Sequence, residues 1–181
     1  MEKTDSASNT GSPQGCCRGR TVGALVLVSV LYALDQATKL WTVKHFALSE
    51  RRAVFGEWFE WVHFSNTGAA FGIMQDSNYF FIGLSVVATV AVSVMLWRNL
   101  LPGVLNGVGL LFLLPGILGN LTDRILHGYV VDFLLFDLGF RPANPWPAFN
   151  VADSCICISV GLMLIASFME ERARRRMEPS V

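Results

Sequence analysis

Charge is scarce in this 181-residue chain: Asp, Glu, Lys and Arg supply 15% of it, whereas 52% is hydrophobic and the mean hydropathy is +0.46. Soluble domains carry about 25% charged residues, so an ordinary water-soluble globule is excluded. Neither sign is in excess, with 14 basic and 14 acidic residues, and no basic reservoir exists to hold a phosphate backbone. Nucleic acid is therefore excluded as a partner. The four cysteines make no framework: Cys16 and Cys17 are adjacent, Cys155 and Cys157 lie two apart, and no Cys-x-x-Cys occurs. His45, His63 and His127 lack His-Glu-x-x-His or comparable spacing, so they read as surface or core residues and no metal site is expected. Neither Ser65 nor Ser154 sits in Gly-x-Ser-x-Gly, and no Ser and Lys pair at helical spacing, which removes a serine nucleophile.

What is present is a set of long uncharged runs. Residues 1–20, rich in Ser, Thr, Gly and charge, read as a disordered tail. Four spans follow, at about 21–41, 79–97, 100–122 and 151–169, each near the 20 residues that cross a hydrocarbon core. The first is expected to be retained, because no small-x-small cleavage site follows it. Span three carries Gly103 and Gly107 in small-xxx-small spacing, with Pro115, Gly116 and Gly119 further on, a composition suited to close helix packing. A basic tail, 170–181, ends the chain. Four spans put both termini and the turn at Arg98 on one side, together with Lys3, Arg18, Arg20, Arg172, Arg174, Arg175 and Arg176, and the positive-inside rule makes that side cytoplasmic. Segments 42–78 and 123–150 then face outward, with Trp41, Trp58, Trp61 and Trp146 placed as interfacial anchors. Within the first segment, Phe55 to Phe64 fits an amphipathic helix or a strand equally well.

Asp35, Asp123 and Asp153 are charges inside or at the ends of spans, where each costs roughly 2.5–3.5 kcal/mol on insertion scales. Asn120 precedes Asp123 by three residues, and Asn150 precedes Asp153 by three, so each amide shares a helical face with its acid. Both acids fall at the outer ends of their spans and can meet in space. Plainer readings stand beside this one: Asp123 with Arg124 as a polar helix end, Asn150 with Asp153 as an N-cap and its partner, Asp35 with Lys39 as an intrahelical ion pair. As a site, two carboxylates sharing a proton can activate water without a nucleophilic side chain. The opposed helix dipoles assign the proton to Asp123 and the role of base to Asp153. Arg124 is expected to pair with an outer acid such as Asp132.

These residues carry a resemblance. Leu-Asp-Gln at 34–36 with Lys39, Asn-Thr-Gly-Ala-Ala-Phe at 66–71, Gly-Asn-Leu-Thr-Asp-Arg at 119–124, Val-Val-Asp-Phe at 130–133 and Ala-Phe-Asn-Val-Ala-Asp-Ser at 148–154 resemble, in order, the blocks of the lipoprotein signal peptidases of bacterial inner membranes. The resemblance implies a largely α-helical membrane protein of four transmembrane helices, with a small extracytoplasmic β-rich cradle and a partly helical outer arm. It implies an aspartic endopeptidase without cofactor or metal, monomeric, that removes the signal peptide from diacylglyceryl-modified prolipoproteins in contact with membrane lipid, at the outer face. The catalytic pair it implies is Asp123 and Asp153, supported by Asp35, Lys39, Asn66, Gly68, Asn120, Arg124, Asp132 and Asn150. Where the family usually has Gly-Gly, this chain has Pro115-Gly116. A small proton-coupled transporter is the rival reading, and it would hold its acids near the midplane at broken helices. A noncatalytic assembly subunit would need only packing motifs such as Gly103 and Gly107.

Overall fold

The computed structural model describes residues 14–56, 58–68, 74–137, 139 and 146–177. Its elements in order are α1 (Gln14–His45), β1 (Arg51–Phe55), β2 (Phe59–Asn66), α2 (Asn78–Arg98), α3 (Val104–His127), β3 (Val130–Phe136) and α4 (Val151–Met177). All four helices are long and apolar enough to cross a membrane. Three run several residues past the expected spans, α3 by ending at His127 and the other two as follows. The backbone of α1 is already helical at Gln14, inside the stretch read as a tail, and residues 1–13 lie outside the described residues. The last helix continues through the basic segment to Met177, where Glu171 meets Arg174 at 3.4 Å and Arg175 at 2.7 Å, the i+3 and i+4 pairs that favour a helix in water.

α3 is the central helix, with α1, α2 and α4 packed on it, while α2 stands largely clear of α4. Its small residues set how closely α4 approaches. A Cβ on Gly116 would lie 2.7 Å from the Ala152 carbonyl oxygen and from Ile156 Cγ1, so this position of Pro115-Gly116 must stay bare. Gly109 lies against Met163 and the Ser159 carbonyl, and a Cβ on Gly119 would overlap the Asp35 carboxylate. The spacing of Gly103 and Gly107 turns out to carry no packing. Gly103 precedes the helix at φ 100° and Gly107 faces open space. Pro115 is buried within a helix that continues through it; its ring removes one amide hydrogen from the ladder without ending the helix.

The segments between α1 and α2 and between α3 and α4 form an antiparallel sheet of order β1-β2-β3. The ambiguous stretch from Phe55 to Phe64 is thus resolved as strand. Its aromatic and β-branched residues stack against β3, with Phe59 on Phe136 at 4.8 Å and Trp61 on Phe133 at 4.9 Å. β3 is buried along most of its length, and its alternation turns Asp132 to the face opposite Val131 and Phe133. Among the described residues these two segments contain no helix of their own, so the helical arm implied by the resemblance is not seen there.

Candidate active site

Lys39 lies six residues from the end of α1, Asp123 four from the end of α3, and Asp153 in the first turn of α4, so the three helices deliver them to one end of the bundle. The Lys39 ammonium has three donors and all three are used. It meets Asp35 Oδ2 at 2.9 Å, Asp123 Oδ2 at 3.0 Å and Asn120 Oδ1 at 2.9 Å. The other Asp35 oxygen accepts the Ala152 N–H at 2.8 Å, one of the amide groups that the start of α4 leaves without a helical partner. Asp123 also accepts the Val131 N–H at 3.0 Å and Gln36 Nε2 at 3.3 Å. Every polar partner of Asp123 is a donor, one of them a cation.

A second cluster adjoins the first through Asn120. Its amide nitrogen donates to Asp153 Oδ1 at 2.7 Å, while its oxygen accepts from Lys39 and from Asn150 Nδ2 at 3.3 Å. Asn150 is fully buried and caps α4: its Oδ1 accepts the Asp153 N–H at 2.9 Å, and Asp153 Oδ2 accepts the Asn150 N–H at 3.3 Å, a reciprocal capping box. The same Asn150 donates through Nδ2 to Asp132 Oδ1 at 2.8 Å. Asp132 Oδ2 accepts from Asn66 Nδ2 at 3.0 Å. One asparagine thus bridges two carboxyls, the buried Asp132 on β3 and the half-buried Asp153 on α4. Burial, and after it the neighbouring Asp153 charge, push the Asp132 carboxyl up to about 7, against the pull of the Asn66 and Asn150 amides and the Lys39 charge.

A cleft of about 780 Å³ opens beside this cluster, lined by α2, α3, α4 and residues 146–149. Its walls are mostly apolar, with Asp153, Asn120, Arg124 and Asn66 at the polar end. Arg124 lies over the Phe81 ring at 5.0 Å and donates through Nη2 to the Gly68 carbonyl at 3.1 Å. Gly68 is itself held by its N–H to Asn66 Oδ1 at 3.1 Å. Arg124 makes no ion pair among the described residues, so the expected pairing with Asp132 is replaced by a backbone carbonyl and an aromatic face.

The ten residues singled out in the sequence all meet here, in two groups. Asp35, Lys39 and Asp123 form a buried ion cluster; Asp153, Asn120, Asn66, Gly68 and Arg124 line the cleft, with Asp132 and Asn150 buried behind them. The plainer readings are all present as well, since Asp35 and Lys39 do pair and Asn150 does cap. They are how the site is built. Sequence reasoning missed Gln36, whose Nε2 lies 3.1 Å from Asp35 Oδ2, 3.2 Å from the Gly119 carbonyl and 3.3 Å from Asp123 Oδ1. Its place beside Asp35 in the block 34–36 was the available signal.

Comparison with known proteins identifies the family. The family model described as signal peptidase (SPase) II matches residues 27–169. Proteins named lipoprotein signal peptidase are 40% identical in Syntrophotalea carbinolica, over 81% of this chain and 91% of that one, and 37% identical in Brevibacillus brevis, over 83% and 97%. A bacterial membrane enzyme solved by the in meso method at 2.3 Å resolution has the same fold, with a TM-score of 0.76 at 24% identity, over 88% of this chain and 94% of that one. With four helices able to span a membrane and acids at the helix ends rather than midway, the transporter reading has no support. The chain belongs to the signal peptidase II family of aspartic peptidases, multi-pass proteins of bacterial membranes.

Proposed function

We propose that the chain cleaves diacylglyceryl-modified prolipoproteins before the lipidated cysteine, and that its reacting acids are Asp153 and Asp132 rather than Asp153 and Asp123. The observation that carries this reading is Asn150, which donates through Nδ2 to the Asp132 carboxyl and through its backbone N–H to the Asp153 carboxyl, the latter lining an apolar cleft. Neither Asp123 nor Asp132 lines that cleft, but Asp123 is committed to Lys39, whereas Asp132 is held by the Asn66 and Asn150 amides. Asp153, in the first turn of α4 and holding an Asn120 amide, serves as the base that takes a proton from water as its oxygen attacks the scissile carbonyl carbon. Asp132 gives its proton to the carbonyl oxygen. Collapse of the resulting diol breaks the C–N bond, the leaving nitrogen takes the proton held by Asp153, and the diol's second proton returns to Asp132. The cleft, open between α2 and α4, lets acyl chains remain among lipid while the peptide reaches the acids. Asp35, Lys39, Asn120, Gln36 and Asn150 are positioning residues, and Arg124 and Gly68 form the wall. The basic residues Arg98, Arg172 and Arg174–Arg176 support cytoplasmic termini and a site near the outer face. The enzyme acts as a monomer.

The reading is tested by incubating purified protein in lipid with a prolipoprotein, with and without its diacylglyceryl group, and following signal-peptide loss by gel shift. Cleavage of the lipidated form alone is expected; no cleavage of either form would end the proposal. Prolonged EDTA treatment is expected to leave the rate unchanged, because the ammonium of Lys39 already fills the point where Asp35 and Asp123 converge. Loss of activity restored by zinc would contradict this.

The pH profile follows from Asp132. A carboxyl raised to about 7 keeps its proton below that pH and loses it above, so kcat/KM falls as pH rises through about 7. The Asn66 amide pulls that value down, so Asn66→Ala is expected to move the falling limb to higher pH. A limb that stays in place would free Asp132 from the acid role.

Exchange of Asp35 and Lys39 tests whether they are an interchangeable pair. Lysine at 35 would aim an ammonium at the Ala152 N–H, and aspartate at 39 would face Asp123. The double variant is expected to insert but to cleave at least about tenfold more slowly. A wild-type rate would make the pair a simple helical ion pair.

A further inference from the structure

We propose that the β1–β2 hairpin is a membrane anchor, with Phe55 and Trp58 seated in the lipid interface at the end of α1 and Arg51 and Arg52 offered to phospholipid phosphates. Leu48, Val54, Phe55 and Trp58 are 58%, 45%, 60% and 55% exposed. Single exposed apolar side chains need no explanation, but Phe55 and Trp58 stack at 6.1 Å while both are more than half exposed, with two arginines on the same strand as Phe55, a pairing that water does not favour.

The position of the hairpin names its occupant. α1 leaves the apolar zone at His45, and only residues 46–50 separate it from β1. That link is folded back, with the Ser49 N–H on the His63 carbonyl at 2.8 Å and the His63 N–H on the Glu50 carbonyl at 3.1 Å. The sheet is also tied to α1 itself, since Trp61 Nε1 donates to Thr42 Oγ1 at 2.9 Å and Trp61 meets Trp41 edge-on at 5.2 Å. The root of the hairpin is therefore fixed to the end of a helix long and apolar enough to cross a membrane, which puts its tip within reach of the interface. Trp61 is used in this attachment rather than as an anchor. The arginines fit the same surface. Arg52 lies over Phe46 at 4.5 Å and Arg51 over Phe64 at 5.0 Å, stems on apolar rings and heads half exposed. Their carboxylate partners, Glu50 at 2.7 Å and Glu60 at 3.8 Å, form exposed pairs of the weak kind and leave guanidinium donors for a phosphate oxygen. Aromatic rings beside arginines are the composition of a membrane–water boundary.

A row of rings joins this tip to the active site. Phe55 stacks on Phe59 at 6.3 Å, Phe59 on Phe136 at 4.8 Å, and Phe136 on Phe149 at 5.8 Å. Phe149 is a wall of the cleft. Seating the tip in lipid would hold that wall at a fixed height for an acylated substrate; this consequence rests on the function proposed above, whereas the anchor itself does not.

The test compares wild type with Trp58→Phe, which keeps a ring at the tip, in bilayers of phosphatidylglycerol and phosphatidylcholine without substrate. The fluorescence lost in the variant is the Trp58 component. Lipids brominated at acyl positions 6 and 7 are expected to quench it, and aqueous iodide to leave it largely untouched. Quenching by iodide and not by brominated lipid would put the tip in water and overturn the anchor. Resistance to both would show the ring covered by protein, and would overturn it equally. Neither outcome bears on peptidase activity, which is read separately from the gel shift.

Discussion

Asp153→Asn and Asp132→Asn are each expected to lower kcat/KM for a lipidated precursor by about 10³–10⁴-fold, while both variants insert and keep their thermal midpoint. Asparagine is nearly the shape of aspartate, so at 153 its oxygen can still accept the Asn120 amide and help close the capping box with Asn150. At 132 it can still accept from Asn150 or from Asn66. What each variant loses is the ability to take up or give up a proton. The double variant is expected to be no slower than the worse single one, because the two acids act as a unit and their losses do not add. Asp123→Asn distinguishes this pair from the pairing first read in the sequence. It removes one of the two negative charges around Lys39 and leaves Asp35 in place, so its main cost is in stability, with a loss of rate of about tenfold. Full loss of activity in Asp123→Asn at unchanged stability, with Asp132→Asn active, would return the catalytic role to Asp123.

The helices were legible because uncharged runs of twenty residues have one physical outcome in a chain with this little charge. The depth of the site was legible for a related reason: an acid in a span is too costly to be incidental, and three of them fell near helix ends on one side. What the sequence could not fix was which acids face each other. Helical periodicity places Asn120 with Asp123, and Asn150 with Asp153, and both relations hold within their helices. Yet the partner that Asn150 brings to Asp153 lies on a strand. Its orientation depends on the register of β3 against β2, where Phe64 pairs with Asp132 next to an irregularity between Trp61 and Phe64. No local pattern in either strand specifies that bulge.

The same limit explains the glycines. Small-xxx-small spacing marks two positions on one helical face, but it does not say whether that face meets a neighbour. Gly103 and Gly107 have the spacing and face no neighbouring helix, a Cβ on Gly103 reaching only Asn106 of its own turn at 3.9 Å, whereas Gly116 and Gly119 lie three apart and both meet Ala152. Gly119 is bare because the carboxylate of Asp35 lies where its Cβ would be, a fact about α1 that α3 alone cannot reveal. Arg124 follows the pattern too. From sequence its charge called for an acid, and in the fold its place over Phe81 and against the Gly68 carbonyl gives it other partners.

Lys39→Met should produce the largest loss of stability of any single change at the site. The ammonium is 3% exposed and is held by Asp35 and Asp123, themselves 1% and 3% exposed. A buried ion cluster adds little net stability when complete, because removing its charges from water costs nearly what their attraction returns. Removing only the cation is different, since two carboxylates then remain in an apolar interior with amide hydrogens alone to hold their charge. Breaking a buried pair in this way costs about 3–5 kcal/mol, which for a chain of this length lowers the unfolding midpoint by on the order of 10 °C. The loss should reach the reaction as well. Asn120 loses one of the two donors on its oxygen, and Asp35, which holds the Ala152 N–H at the start of α4, loses its counter-charge. Thermal unfolding of the protein in detergent and lipid would measure the first effect and gel-shift cleavage the second. The electrostatic origin is checked by neutralising the whole cluster. Lys39→Met with Asp35→Asn and Asp123→Asn leaves no unpaired charge, so the triple variant is expected to recover most of the midpoint while activity stays low. If the triple variant is no more stable than Lys39→Met alone, the cost lies in lost packing of the lysine stem, and the ion cluster is not what holds α1, α3 and α4 at the site.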